Sequence, residues 1–141
     1  MSATIRPFGV LQAIETAINA MDVAAVAPGD RMRANIGARK SRSPGRDVTV
    51  VPGGSRRLMH RPGACNEHEM QVTIVTYYPL SNDVFERIAN DQADMADALL
   101  LVPTGAIVGI EVDLGVPAND IATENEIAMT RSVTVRFRKG S

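Results

Sequence analysis

Two histidines and one cysteine, His60, Cys65 and His68, come nearest in this sequence to a set of metal ligands, with Glu67 and Glu69 close by. A structural zinc site takes four ligands, usually in closely spaced pairs such as Cys-x-x-Cys. The spacing here does not provide those pairs, and the side chains lie around a glycine turn. We therefore interpret the region as a solvated loop that enters a strand, and we predict no metal and no cofactor.

No pattern of a catalytic nucleophile is present either. Neither histidine accompanies a serine or cysteine in a recognisable nucleophile motif. Residues 52–57, with the sequence PGGSRR, place two glycines before two arginines, but the Gly-Lys-Ser/Thr of a phosphate-binding loop is missing. We interpret them as a hairpin turn, and we predict that the protein is not an enzyme.

Positive charge is concentrated in residues 31–62, although the net charge of the chain is only −1. The segment contains nine basic residues and one acid, Asp47, which gives +8. Valines at positions 48, 50 and 51 indicate one strand. We predict an extended basic hairpin or arm that contacts a neighbouring subunit or another protein of an assembly. Its candidate contact residues are Arg31, Arg33, Arg39, Lys40, Arg42, Arg46, Arg56 and Arg57.

Negative charge follows in residues 63–130, where twelve acids face a single basic residue, Arg87, which gives −11. This separation favours head-to-tail contact between copies of the chain. Four of the acids, Asp83, Glu86, Asp94 and Asp97, recur around one predicted helix. Such a face is usually just solvated. In a ring-shaped assembly it would line the lumen or contact the next subunit.

The periodicity of apolar residues predicts the elements that carry these charges. Helical spacing predicts one helix over residues 7–21 and a second from Asp83 to about residue 101. At the start of the second helix, Glu86 would complete a capping box with Asp83. Its apolar stripe is predicted to consist of Phe85, Ile88, Met95 and Leu99. Alternation predicts strands at residues 70–78 and 129–138, the last with one apolar face, and apolar, β-branched residues predict a further strand at residues 106–112. An exposed acidic loop is expected at residues 117–126.

The fold class that follows is α+β, a mostly antiparallel sheet of four to five strands with an N-terminal helix and one long helix packed across it. The length of 141 residues and the 45% hydrophobic content are typical of one globular domain, so we expect a single domain over residues 1–141 with the basic segment as an insert.

We find no signal-peptide pattern and no apolar run that would span a membrane, and we expect a soluble, unsecreted protein that does not act at membranes. Aromatic residues are 4% of the chain, too few for a stacking platform for single-stranded nucleic acid.

In the order of its elements the chain resembles the tail terminator proteins of long-tailed bacteriophages, a family of small proteins of the tail and neck. The resemblance is carried by residues 8–21 (FGVLQAIETAINAM), residues 70–101, which join the alternating strand to the long helix, and residues 126–138 (EIAMTRSVTVRFR). It covers most of the chain in element order. The basic insert at residues 31–62 is longer than the family would lead one to expect.

The resemblance implies a structural protein of the virion, assembled in the host cytoplasm and located at the neck between head and tail. It implies a homo-oligomeric ring, expected to be hexameric, that caps the head-proximal end of the tail tube and provides the surface for head-tail joining. Its implied partners are further copies of itself, the tail tube protein, a neck or head-completion protein and the sheath protein, with DNA passing through the lumen without specific binding. The basic segment would then contact a neighbouring subunit or the tube.

Two alternatives remain from the sequence. Another neck or head-completion protein would share the size and the ring symmetry but would bind on the portal side. A nucleic-acid-binding protein would use the basic segment to release counterions from phosphates, with an affinity that falls steeply as salt rises.

Overall fold

The computed structural model describes residues 3–21, 32–37, 46–58, 66–118 and 125–140, which form two helices and one six-stranded sheet. In chain order the elements are helix α1 (Pro7–Asn19), strands β1 (Met32–Ile36), β2 (Arg46–Arg57) and β3 (Glu67–Pro79), helix α2 (Val84–Leu100), and strands β4 (Ile107–Val112), β5 (Val116–Pro117) and β6 (Glu126–Arg138). The predicted α+β class is confirmed, with six strands instead of four to five.

Helix α1 begins at Pro7, where the missing N–H of proline leaves no hydrogen bond unmade. Its apolar residues return at helical spacing, so that Val10, Leu11, Ile14 and Ile18 are all buried on one side. At its end the side chain of Asn19 holds strand β1: its Oδ1 accepts a hydrogen bond from the Ala34 N–H at 2.8 Å. The helix is therefore fixed to the outermost strand of the sheet.

The strands lie in the order β1-β2-β3-β6-β4, with β5 pairing to β6 beside β4. All pairs are antiparallel except β1 with β2, which are parallel. The central pair, β3 with β6, is in continuous register from Glu67 opposite Arg138 to Pro79 opposite Glu126. Because β3 and β6 are the longest neighbours, they form the base on which the shorter strands are arranged.

Both helices pack against the same face of this sheet. Alternation places Val72 and Ile74 of β3 beside Val133 of β6 on that face, and all three are almost completely buried. Met95 and Leu99 of α2 belong to the same apolar cluster as the buried residues of α1. The prediction of a long helix lying across the sheet is thus confirmed, and burial of this cluster is the main favourable term for folding.

Strand β6 is apolar on one face as predicted, with Met129, Val133, Val135 and Phe137 buried. Its N-terminal end and that of β3 extend further than the alternation alone indicated, to Glu126 and Glu67. The predicted acidic loop at 117–126 begins instead as strand β5, because Ala118 N–H continues the pairing by donating to the Ala128 carbonyl at 2.8 Å. Residues 119–124 lie outside the described part.

Two predictions about α2 are wrong. Phe85 does not belong to the apolar stripe, since 76% of it is exposed while Val84 is buried. The stripe starts one residue earlier, and a shift of one residue turns a side chain by about 100° around a helix. The capping box is also absent: Asp83 is the N-cap but makes no side-chain capping hydrogen bond. Its carboxylate instead accepts a hydrogen bond from the Ser81 hydroxyl at 2.6 Å.

The basic segment also differs from the predicted hairpin. Its described parts are strands β1 and β2, which run in the same direction and so do not form a hairpin with each other. Strand β2 pairs antiparallel with β3 instead, and it continues through Pro52, Gly53 and Gly54 with a change of register between Pro52 and Ser55. The predicted turn at residues 52–57 is therefore a β-bulge within a long strand.

Candidate functional site

The basic candidates that the structure describes lie on strands at one side of the sheet. Arg33 is exposed on β1, and Arg56 and Arg57 are exposed near the end of β2, while Arg46 begins β2. Arg56 is already paired, because its Nη2 lies 3.1 Å from Glu69 Oε1 on the neighbouring strand β3. Arg31, Arg39, Lys40 and Arg42 lie outside the described residues. The described basic groups are thus fixed on strands and partly neutralised.

The four acidic candidates are all exposed on α2, on the side turned away from the sheet. Asp83 is the N-cap of α2, and its Oδ2 lies 3.2 Å from Nε of Arg87, one turn later. Hydrogen bonds from the Ser81 hydroxyl and from Arg87 lower the pKa of Asp83 below its usual value. Glu86, Asp94 and Asp97 continue the same face, which forms an acidic stripe along the outside of the helix layer. The structure therefore keeps the acidic and basic candidates on different elements.

An open apolar groove of about 640 Å³ runs between the two helices. Small residues of α1 form one wall, and residues at the end of α2 and just after it form the other. Its lining consists of Gly9, Gln12, Ala13, Thr16, Ala17, Ala20, Met21, Ala98, Leu101, Val102 and Thr104. The lining has no charged side chain, so the groove suits an apolar surface better than a polar metabolite. Sequence periodicity predicted the buried side of each helix but not this space between them.

Several large apolar side chains are left in solvent near the ends of α2. Leu101 is 82% exposed, Phe85 76%, Leu100 56% and Leu80 53%. Single exposed apolar residues are ordinary on monomeric proteins, but clusters of them mark interaction surfaces. Leu101 also lines the groove between the helices, and Leu100 precedes it at the same end of α2, whereas Leu80 and Phe85 lie at the other end of the helix.

A buried polar cluster lies beneath the first half of α2. Arg131 of β6 is only 5% exposed, and its Nη2 donates a hydrogen bond to the Gln92 carbonyl at 3.0 Å. The Gln92 side chain in turn donates to the hydroxyl of the buried Tyr78 at 3.2 Å. The remaining Arg131 nitrogens, Nε and Nη1, find no hydrogen-bond acceptor among the described protein atoms. Burial lowers the pKa of Arg131 from its ordinary value.

Chemically, the cluster joins α2 to the sheet. An arginine, an amide and a tyrosine hydroxyl offer hydrogen-bond donors and weak acceptors. The Gln92 amide is also closely confined, since a β-carbon at Gly115 would clash with its Oε1. We interpret the cluster as a positioning feature for α2. The sequence signalled it only as a charged residue at an apolar position of β6.

His68 and its acidic neighbours lie on strand β3, not in a loop. The imidazole packs against Phe137 with ring centroids 5.9 Å apart, and burial together with the positive charges of Lys139 and Arg57 lowers the pKa of His68. His60 and Cys65 lie outside the described residues. Among the residues that are described, no three His, Cys, Asp or Glu side chains are grouped to hold a metal ion. Neither described helix is long and apolar enough to cross a membrane.

Comparison of the sequence with models of protein families and with curated proteins finds no match.

Proposed function

We propose that this chain is the subunit of a homo-oligomeric ring at the neck of a long-tailed bacteriophage, and that it acts as a tail terminator. In this role six copies cap the tail tube and provide the surface for head-tail joining. The element order supports the proposal, since an N-terminal helix, a long central helix across a mostly antiparallel sheet, and a closing antiparallel pair of strands follow each other as in that family.

The observation that carries an assembly role is the set of large apolar side chains exposed around α2. Leu101 and Phe85 are each more than three quarters exposed, and Leu101 opens into the uncharged groove beside α1. Leaving such side chains in water costs free energy that burial at an interface would recover, at about 25 cal/mol for each Å² of apolar surface. A subunit of a larger particle is therefore favoured over an isolated monomer.

The mechanism of such a protein is complementary binding. Each contact with a symmetric tube is weak on its own, but a ring engages several equivalent sites at once, which raises the overall affinity without any new type of contact. The acidic stripe on α2 would face either the lumen, where it would repel the phosphates of passing DNA, or the next subunit. DNA binding itself is not proposed, because Arg56, one of the described exposed arginines, is paired with Glu69.

The experiment is to measure the mass of the purified protein at physiological salt, alone and with polymerised tail tubes. We expect a hexamer in solution, or a monomer that becomes a ring at the ends of the tubes, where electron microscopy would locate it. A ring that ignores tubes but binds portal complexes would assign the protein to the other side of the neck. A monomer that binds neither would contradict the proposal, and duplex binding lost between low and high salt would favour the nucleic-acid alternative.

A further inference from the structure

Strand β4 forms one lateral edge of the sheet, and its outer side pairs with no other described strand. Directly after the strand, the Asp113 N–H donates to the Ser132 carbonyl of β6 at 3.0 Å. Positions that hydrogen-bond to the neighbouring strand alternate with positions that do not, and the pairing with β6 is in unbroken register from Gly109 onward. Glu111 and Gly109 therefore point their backbone groups at β6, whereas Ile110 points its N–H and carbonyl out of the sheet.

This edge is accessible to another chain. Val108 is 38% exposed, Glu111 is exposed, and Leu114, just beyond the strand, is 85% exposed. Edge strands are usually shielded by charges, prolines or bulges. Strand β4 has one register shift, between Ile107 and Gly109, and one charged residue, Glu111. Its outward-pointing groups are thus a template for adding a strand.

A positive group lies over the middle of the same edge. Arg136 of β6 is opposite Gly109, and a β-carbon at Gly109 would lie 3.0 Å from Arg136 Nη2. The guanidinium therefore occupies the space that a side chain at position 109 would fill. Glu111 is two residues further along on the same sheet face, and it lines one polar cleft of about 250 Å³ together with Arg136. No ion pair joins the two within the described chain, so the edge displays a positive and a negative group side by side.

These groups select one register for antiparallel pairing of β4 with β4 of a second copy. Outward-pointing residues must meet each other, so Ile110 lies opposite residue 108, 110 or 112 of the second copy. With residue 112, Glu111 faces Glu111, and with residue 108, Gly109 faces Gly109 and the two Arg136 guanidinium groups lie together. Both arrangements oppose like charges, which destabilises a strand pair. With Ile110 opposite Ile110, each Glu111 faces the other copy's Gly109 and therefore its Arg136.

We propose that two copies of this chain pair through β4, antiparallel about a two-fold axis at Ile110, with Glu111 of each copy bound to Arg136 of the other. Residues 109 and 111 then face each other as a non-hydrogen-bonded pair, in which the Cα atoms are only about 4.5 Å apart. Glu111 is thereby brought to the guanidinium that covers Gly109. The same contact occurs twice, because a two-fold interface is isologous.

This inference goes beyond the proposed function and does not depend on it. A two-fold contact relates copies that point in opposite directions, so it does not repeat around a ring whose subunits all point the same way. It joins free subunits in pairs, or two rings face to face. In either case it doubles the mass of the smaller species.

The contact is small, so association should depend on concentration. Stable interfaces bury about 1,200–2,000 Å² in total, more than one pair of short strands provides. Apolar contacts add to the two ion pairs: Ile110, which packs partly buried against the core, meets its symmetry mate, and Leu114 lies level with the second copy's Ala106. We expect a dissociation constant in the micromolar range.

The first test exchanges the two charges. Glu111→Arg and Arg136→Glu each place like charges at both symmetric positions, so either variant alone should raise the dissociation constant of the doubling step about tenfold. The double variant restores both ion pairs with their signs exchanged and should recover the wild-type value, as should an equal mixture of the two single variants. Sedimentation velocity over a series of concentrations into the high micromolar range measures this constant.

Matched controls make the same charge changes elsewhere. Glu86→Arg on α2 and Arg33→Glu on β1 alter exposed residues outside β4, and they should leave the doubling step unchanged. If a reversal lowers the melting temperature, the neutral variants Glu111→Gln and Arg136→Gln replace it, and each should raise the dissociation constant about threefold.

A single cysteine locates the two-fold axis. In a Cys65→Ser background, Ile110→Cys sets two thiols opposite each other with Cα atoms about 5.5 Å apart, which is within the range of a disulfide. Val108→Cys is the control, because the two copies of residue 108 would be separated by about 13 Å along the strands. Mild oxidation should therefore cross-link Ile110→Cys and leave Val108→Cys uncoupled.

Three results would overturn the pairing: a wild-type mass that never doubles, a double variant that associates no better than the single variants, or equal cross-linking of the two cysteine variants. Each of these would leave the proposed function in place, since rings and tube binding are measured separately. Doubling that follows the charge exchange in a protein that forms no ring and ignores tubes would support the pairing and overturn the proposed function alone.

Discussion

Replacing the buried Arg131 by methionine should stabilise the fold. The guanidinium is 5% exposed, makes one hydrogen bond at 3.0 Å to the Gln92 carbonyl, and has two further nitrogens without an acceptor among the described protein atoms. Each buried donor left without a hydrogen bond costs about 1–3 kcal/mol, and the hydrogen bond to Gln92 that the substitution removes contributes about 1.5–3 kcal/mol. Methionine has a similar unbranched length and fills irregular apolar space beside Ile74, the residue opposite Arg131 on β3.

The balance favours methionine by about 1–3 kcal/mol, in line with other buried charges that were replaced by apolar residues. For a domain of this size such a gain corresponds to an increase in the melting temperature of roughly 3–10 °C. Urea unfolding followed by circular dichroism would measure the free energy directly. Arg136→Met is the matched control, because the same substitution at an exposed position of the same strand should change stability by less than about 0.5 kcal/mol.

A loss of more than about 1 kcal/mol in Arg131→Met would refute this reasoning. It would mean that the arginine is fully hydrogen-bonded in solution, either by water or by an anion held beneath α2. A stability of the wild type that rises with added sulfate or phosphate, and does not rise in Arg131→Met, would identify the anion.

Three further predictions follow from single features of the structure. His68 has a lowered pKa in the fold. Its contribution to the stability of the fold is therefore complete above the unfolded pKa near 6.5 and is lost as pH falls through the lower folded pKa. The melting temperature of wild type should decrease more between pH 7 and pH 5 than that of His68→Gln. A β-carbon at Gly53 would lie 3.0 Å from the Gln71 carbonyl oxygen, whereas a β-carbon at Gly54 would meet no other atom within 4 Å. Gly53→Ala should therefore lower the free energy of unfolding by about 1 kcal/mol, and Gly54→Ala should raise it by about 0.5 kcal/mol. Equal effects of the two substitutions in urea unfolding would contradict the close approach at the bulge. Leu101→Gln should leave the melting temperature within about 2 °C of the wild-type value but reduce the assembled mass. Leu99→Ala in the core should instead lower the free energy of unfolding by about 2–5 kcal/mol. Unchanged assembly in Leu101→Gln would remove that leucine from the interface.

The elements were largely predictable because their signals are local. Six apolar residues at helical spacing indicated α1, namely Val10, Leu11, Ile14, Ala17, Ile18 and Met21, and the first three together with Ile18 are the residues that it buries. The alternation around residues 70–78 and 129–138 indicated β3 and β6, which form the longest pair of the sheet. At the start of α2 the same reasoning chose Phe85 over Val84. Both are apolar, and only the position of the helix on the sheet decides which of the two faces inward.

The candidate site was predictable only in part. Charge counts indicated that basic and acidic groups are separated along the chain, and the structure keeps the described basic and acidic candidates on different elements. They did not reveal that Arg56 is paired with Glu69, because that contact depends on the antiparallel register of β2 with β3. The groove between the helices was equally hidden, since it is formed by residues more than seventy positions apart in the chain.

By itself, the sequence determined the two helices, most of strands β3, β4 and β6, and how charge is distributed, because periodicity and composition act over a few residues. Only the tertiary structure decided that β1 and β2 are parallel, that Arg131 is buried beneath α2, and that β2 and β4 run in opposite directions. Those properties depend on which strands become neighbours. That choice is made by the joint burial of side chains from distant segments, which no local pattern encodes.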